Sequence, residues 1–251
     1  MGFDLNSVSA RLPDRRIDWF PSVTSTMTLA ARAARDGAPS GTVIGADGQV
    51  AGIGRHGHSW HSEAEAGLYV SIILRPPIGP EALPVVMLLL GLATQEAIGE
   101  VSGLAADLRW PNDVMISGKK CAGILAQLEM SAIVAGIGIN VNHMEFPVEV
   151  APLATSLRLE GKRSVSREDL LVALLQSIDK LMKILTERGA PAILDRFTRA
   201  SSYARGRRVR VEQNGAIIEG TTCGLDASGF LVVREDNGKE TTILAGGVRP
   251  V

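Results

Sequence analysis

The chain has little cysteine, almost no net charge and no long hydrophobic run. Its two cysteines, Cys121 and Cys223, stand far apart in a chain of 251 residues. That excludes a disulfide framework and fits a reducing compartment. Lys and Arg number 26 against 27 Asp and Glu, a formal net charge of -1. No global field therefore draws nucleic acid or an anionic membrane. The start, Met1-Gly2-Phe3-Asp4-Leu5, lacks the basic and apolar regions of a signal peptide. The longest apolar run, Val85 to Ala93, is too short to span a bilayer. No G-x-x-x-x-G-K-[ST] segment occurs, so there is no P-loop. These absences predict a cytoplasmic protein with no membrane or nucleic-acid partner.

What is present is enough chain for one large core, or for a large domain and a small one. A helix is expected from Thr24-Ser25-Thr26 to Asp36, stopped by Gly37 and Pro39. A mostly apolar, buried helix is expected from Glu81 to Glu100. A third helix starts at the Ser166 cap, carries Glu168 and Asp169 at its positive end, and stops at Gly189 and Pro191. Strand-like runs lie between them: Thr42 to Ala46, Leu68 to Leu74, Val114 to Ile116, Cys121 to Leu128 and Ser131 to Asn142. The two runs around Glu129-Met130-Ser131 form a hairpin. Without a regular β-α-β rhythm, the class is α+β with a mixed or antiparallel central sheet. After about Ser201 the helical stripes stop. Short strands from Arg207, Ala216, Phe230 and Glu240 follow, with turns at Asn214-Gly215, Ser228-Gly229 and Asn237-Gly238. This predicts a first domain over 1–200 and a small barrel over 201–251.

Three segments carry chemistry. In Arg109-Trp110-Pro111-Asn112-Asp113-Val114, a rigid Trp-Pro corner fixes where Asn112 and Asp113 point. After a turn at Ser117-Gly118, Lys120 enters an apolar strand, and a cation at the edge of a core suggests an anion site. Gly52-Ile53-Gly54-Arg55-His56-Gly57 matches G-x-G-x-x-G, but poor helix material follows and no carboxylate stands near Ile72, so it is not a dinucleotide fingerprint. It reads instead as a glycine-rich loop in which Arg55 can fork onto phosphate. His56, His58 and His61 do not present zinc's usual set of ligands on ordered elements, and polar or partly cationic contact with phosphate fits them better. Ala135 to Asn142 is an apolar strand with alternating glycine, a sign of close approach by a ligand or another backbone.

Taken in order, these segments resemble the biotin protein ligases. Ser25-Thr26 is similar to the family's D/E-S-T-N segment, and Gln49 to Trp60 resembles its G-R-G-R-x-G-R-x-W loop. Arg109 to Asp113 resembles K-W-P-N-D, Lys120 to Leu125 resembles K-x-A-G-I-L, and Gly136 to Asn142 resembles G-x-G-I-N-V-N. The resemblance implies a class II synthetase-like catalytic domain and a C-terminal SH3-like barrel. It implies a reaction of biotin with ATP, accompanied by Mg2+, that gives biotinyl-5'-AMP. Transfer of biotin to a lysine of a biotin carboxyl carrier protein domain, in acetyl-CoA carboxylase or a related carboxylase, would follow. Lys120 and Arg55 would be the catalytic cations. Ser25, Thr26, Gln49, Gly52, Arg55, Lys120, Gly123, Gly136 and Gly138 would bind biotin. Arg55, Trp60, Asn112, Lys120 and Asn140 would bind ATP or the adenylate. Ile53, His56 and His58 stand where the family often carries arginine, Met27 where asparagine is common, and Arg109 replaces lysine. The stretch before Trp19 is too short for a winged helix-turn-helix, so a ligase without repressor activity is expected. A homodimer is compatible with the resemblance.

Two other functions compete. A lipoate or octanoate transferase shares the catalytic domain, but W-P-N-D, G-I-N-V-N and the C-terminal barrel favour the biotin enzymes. A non-catalytic biotin or adenylate sensor has only the altered loop charges behind it. Pyrophosphate release that needs both biotin and ATP separates all three.

Overall fold

The computed structural model describes residues 2–213 and 215–251. A short helix α1 (Leu5–Arg11) leads into β1 (Ile17–Val23), α2 (Thr26–Arg35) and β2 (Val43–Gln49). A small hairpin, β3 (Gly52–Ile53) and β4 (Ser59–Trp60), carries the 3-10 turn Arg55–Gly57 at its tip. Then come β5 (Gly67–Leu74), α3 (Leu83–Ser102), β6 (Asp107–Arg109), β7 (Asp113–Ile116), β8 (Lys119–Glu129) and β9 (Ala132–Asn140). Helices α4 (Leu157–Gly161), α5 (Arg167–Arg188) and α6 (Ala190–Ala200) follow. The last strands are β10 (Arg205–Gln213), β11 (Ala216–Leu225), β12 (Leu231–Glu235), β13 (Glu240–Ile243) and β14 (Val248–Pro250).

The central sheet has seven strands in the order β1-β2-β5-β9-β8-β7-β6. Only β1 and β2 run parallel, so the sheet is mixed, as the sequence predicts. Long apolar strands need cover, and β5 is buried along its whole length. Helices α3 and α5 pack together over the sheet and form the main core with Val70, Ile72, Ile124 and Ile137. A smaller core lies under α2, where Met27, Ala30, Ala31 and Ala34 meet Ile44, Ile73 and Val134. The second sheet, β13-β12-β11-β10-β14, is wholly antiparallel, as an SH3-like barrel requires. It is joined to the central sheet at the Trp110 corner, where the indole N–H donates to the Gly229 carbonyl at 3.0 Å. The Trp110–Pro111 peptide is cis.

Three features differ from the sequence reading or were absent from it. Gly189 and Pro191 end α5, but Pro191 also opens α6, because proline is well suited to the first turn of a helix. Strand β1 is not visible as alternation because Pro21 sits inside it. The strand pairs only with β2, and an edge position tolerates a missing N–H. The apolar run Val85 to Ala93 belongs to a longer segment, Pro80–Ser102, which is long and apolar enough to cross a membrane by length and composition. Its Val86, Leu89, Leu90 and Ile98 are instead packed into the main core. The expected turn at Asn214-Gly215 includes Asn214, which lies outside the described residues. Helix α5 begins and ends where its cap and terminal glycine place it, with Ser166 accepting from the Asp169 N–H at 3.0 Å.

Candidate functional site

The site lies across the middle of β8 and β9. Gly123 and Gly138 are cross-strand partners, and the Trp60 ring rests on both. A methyl group on Gly138 would come within 2.5 Å of the indole, and one on Gly123 within 2.9 Å. Side chains here would displace Trp60, so the paired glycines are what let an aromatic ring lie against backbone. Gly136 makes the same room for Met27, whose sulfur would be 2.6 Å from an added methyl group. The cleft above this floor has a cavity volume of about 50 Å³.

One end of the cleft is neutral and hydrogen-bonding. The Gln49 carbonyl oxygen accepts from the Thr26 backbone N–H at 2.9 Å and from its hydroxyl at 3.1 Å. The Gln49 amide donates to Ser62 Oγ at 2.9 Å, and the Ser71 hydroxyl donates to Thr26 Oγ1 at 2.8 Å. Ser25 occupies the N-cap position of α2, yet its hydroxyl makes no capping bond. Among the described residues it is buried without a hydrogen-bond partner, as is the Trp60 indole N–H. Buried polar atoms without partners are costly.

The other end is charged. Pairing between β7 and β8 jumps from Val114–Ala122 to Met115–Lys120, which leaves Cys121 as the extra residue of a bulge. In an unbroken strand, residues 120 and 123 would face opposite ways. The bulge turns Lys120 onto the face of Gly123, with Lys120 Nζ 2.9 Å from where a Gly123 methyl would sit. Asp113 is the cross-strand partner of Gly123 and shares that face. Its carboxylate binds Lys120 Nζ at 2.5 Å and Arg109 Nη2 at 2.7 Å. Burial pushes the Asp113 carboxyl up, but the charges and hydrogen bonds of Lys120 and Arg109 outweigh it and hold the group below the usual carboxylate range. Lys120 Nζ also lies 5.2 Å from the Trp60 ring centre. Arg55 reaches the same space from the hairpin tip and donates to Asn112 Oδ1 at 2.9 Å. Asn112 is fixed in turn by donating to the Ile124 carbonyl at 3.0 Å. Burial lowers the Arg55 pKa, while Asp113 opposes the shift.

Thr26, Gln49, Arg55, Trp60, Asn112, Lys120, Gly123, Gly136 and Gly138 thus line one cleft. Ser25, Gly52 and Asn140 are not among its lining residues. Gly52 lies in β3 under Trp60, where an added methyl group would come within 2.5 Å of the Trp60 carbonyl oxygen. The Asn140 amide donates to the Thr155 carbonyl at 3.0 Å and ties β9 to the segment before α4. His58 is exposed, and the His56 side chain lies outside those described. Sequence reading missed Asp113 as the hub of the charged end and Ser62 and Ser71 as braces of the neutral end. The W-P-N-D motif contained the first signal. The two serines carried none, because only the fold brings them to Gln49 and Thr26.

Comparisons with known proteins point to one family. Residues 19–143 match the model of the biotin/lipoate A/B protein ligase family, and residues 205–248 match that of the biotin protein ligase C terminal domain. The biotin--[acetyl-CoA-carboxylase] ligase of Mycobacterium tuberculosis is 34% identical over 239 residues, covering 93% of this chain and 88% of that protein. The bifunctional ligase/repressor BirA of Bacillus subtilis is 33% identical over 225 residues, covering 86% of this chain and 68% of that protein. The biotin protein ligase from Aquifex aeolicus, solved in complex with biotin and ATP, superposes with a TM-score of 0.84 at 31% identity, covering 94% of this chain and 99% of that one.

Proposed function

Since the chain belongs to the biotin protein ligases of the biotin/lipoate A/B protein ligase family, it is an ATP-dependent biotin ligase, and we propose how its residues divide the work. In the first step a biotin carboxylate oxygen attacks the α-phosphorus of ATP. The bond from that phosphorus to the β-phosphate bridge breaks, and pyrophosphate leaves. In the second step a neutral lysine amine of the carrier attacks the acyl carbon, AMP leaves, and the amine proton passes to solvent. Both reactants of the first step are anions, so cations must stand between them.

The observation that carries this reading is one cleft with two unlike ends over a glycine floor. Thr26 and Gln49 line the neutral end, flanked by Ser25 and Gly52, which suits the uncharged ureido ring. Lys120 and Arg55 belong to the charged end, which suits the carboxylate and the α-phosphate. Trp60 and Asn112 face the adenylate, with Gly123, Gly136 and Gly138 beneath. Asn140 acts at one remove, by holding β9 against the Thr155 segment. Asp113 is a positioning residue that aims Lys120.

The described lining residues fit Mg2+ in one way only. They offer neutral side-chain oxygens, those of Asn112, Gln49, Thr26 and Tyr69, and no carboxylate, so the ion would enter on ATP, keep water ligands and be held chiefly by phosphate. Bound there, it would screen the triphosphate charge.

On this reading residues 1–200 form the catalytic domain and 201–251 the barrel. The acceptor is a biotin carboxyl carrier domain of acetyl-CoA carboxylase or a related carboxylase. Free Cys121 and Cys223, the net charge of -1 and the need for ATP support a cytoplasmic enzyme whose partner is protein rather than nucleic acid. A homodimer is compatible with this reading, and sedimentation measures it. Intact-mass analysis of a carrier domain incubated with the enzyme, biotin and Mg·ATP tests the whole sequence. One biotinyl group on one carrier lysine is expected. An unmodified carrier, with every component present, contradicts it.

A further inference from the structure

Beyond the cleft, the fold gathers a second constellation that the ligase chemistry does not use. His61 and Glu63 follow β4, and His143 follows β9. One ligand atom of each lies within 4.8 Å of the others. The two exposed members come from the leg of the Arg55 hairpin, and the third is fully buried at the end of the central sheet.

The protons on His143 can be assigned from its neighbours. The Tyr69 hydroxyl has one proton and donates it to the Glu63 carbonyl at 2.9 Å. Tyr69 Oη lies 3.1 Å from His143 Nε2. With its own proton committed, the phenol oxygen must accept, so Nε2 carries the imidazole proton. Nδ1 is then a bare lone pair. It is buried and has no hydrogen-bond partner among the described residues. Phe146 stacks on the same ring at 5.2 Å and 15°, which holds its plane. An imidazole with one nitrogen tied to a hydrogen-bonding oxygen and the other bare is the arrangement found in metal-ligating histidines.

We propose that His61, Glu63 and His143 bind a divalent transition metal of the zinc class, with water in the fourth position. Two imidazoles and a carboxylate suit Zn2+ better than the hard cation Mg2+, which prefers oxygen ligands. Zinc–ligand bonds of about 2.0–2.1 Å put tetrahedral ligands about 3.3 Å apart, so the cluster must contract. His61 and Glu63 are exposed and can swing inward, while His143 stays fixed. The site opens onto a surface cleft also lined by Glu145 and Phe146, which leaves room for the water. Ser62, between the two mobile ligands, bonds the Gln49 amide. A metal here would staple the hairpin leg to the sheet end and steady the neutral end of the biotin cleft.

The test is Zn2+ titration of the full chain after chelator treatment, in a Cys223→Ser background, with a competing zinc dye as reporter. One Zn2+ per chain is expected, with no competition from Mg2+. His61→Ala and Glu63→Gln should each weaken binding about tenfold or more, and Tyr69→Phe should weaken it about tenfold by freeing the His143 ring. His58→Ala should leave it unchanged. Because residues 61 and 63 are exposed, their variants should melt with wild-type midpoints in chelator, which shows that they are folded. Absence of stoichiometric binding overturns the proposal. So does binding that survives both His61→Ala and Glu63→Gln, or that is lost in His58→Ala.

Discussion

The two cations of the cleft are mounted differently. Lys120 projects from a strand inside a seven-stranded sheet, aimed by a bulge and held by the half-buried carboxylate of Asp113. Arg55 sits on a single 3-10 turn at the tip of a two-stranded hairpin and is held by one hydrogen bond to a neutral amide. A charge needed at the moment of bond formation gains from being fixed in advance, because no reorganisation is then required. A charge that must admit the substrate and then close over a reactive anhydride gains from a tether that is easily broken and remade. The comparison assigns Lys120 to chemistry and Arg55 to retention.

The strongest way to break that assignment is Lys120→Ala. A loss of about 3 kcal/mol of transition-state stabilisation is expected, on the order of a hundredfold in adenylation rate. Thermal stability should change far less, since Asp113 keeps Arg109 as a partner. Steady adenylation by a folded Lys120→Ala protein would remove it from the first step.

Asp113→Asn asks whether the strand-borne cation depends on its carboxylate anchor. Lys120 and Arg109 keep 29% and 23% of their side-chain exposure, so the loss is smaller than for fully buried pairs, about 2 kcal/mol of stability. The same pair sets a pH signature. The folded Asp113 carboxyl titrates below its unfolded value. Its contribution is therefore fully present above the ordinary carboxylate range and is lost as pH falls through the lowered folded value. Denaturant melts from neutral to acid pH should show wild type losing this increment and Asp113→Asn lacking it. Parallel curves for the two proteins would mean that the anchor carries no such charge coupling.

Arg55→Gly should have the smallest energetic effect and a distinct readout. One hydrogen bond to a charged group is worth about 1.5 kcal/mol, roughly tenfold in adenylate release. Biotin capture should change little. Adenylate escaping into solution would label lysines on bystander proteins, measurable by streptavidin blot. Release at the wild-type rate would place retention elsewhere in the hairpin.

The same contrast explains what the sequence made legible. Lys120, Arg55 and the glycines could be read because each lies in a short motif whose spacing is local. Asp113 was visible in W-P-N-D, but its pairing with Lys120 depends on a bulge at Cys121, and a bulge leaves no periodic trace. The Arg55–Asn112 bond and the His61–Glu63–His143 cluster join residues far apart in sequence, so only the order of strands in the sheet creates them. In the fold, α5 was readable from its cap, stripe and terminal glycine. Strand β1 was hidden by Pro21, and α6 by a proline that opens a helix as well as following one.

Biotin-dependent exchange of labelled pyrophosphate into ATP isolates the step that the cleft is proposed to perform, without needing the carrier. Exchange that requires biotin and Mg·ATP, falls on the order of a hundredfold in Lys120→Ala and persists in Arg55→Gly is the predicted result. Exchange that proceeds without biotin, or that is lost equally in both variants, would contradict the account.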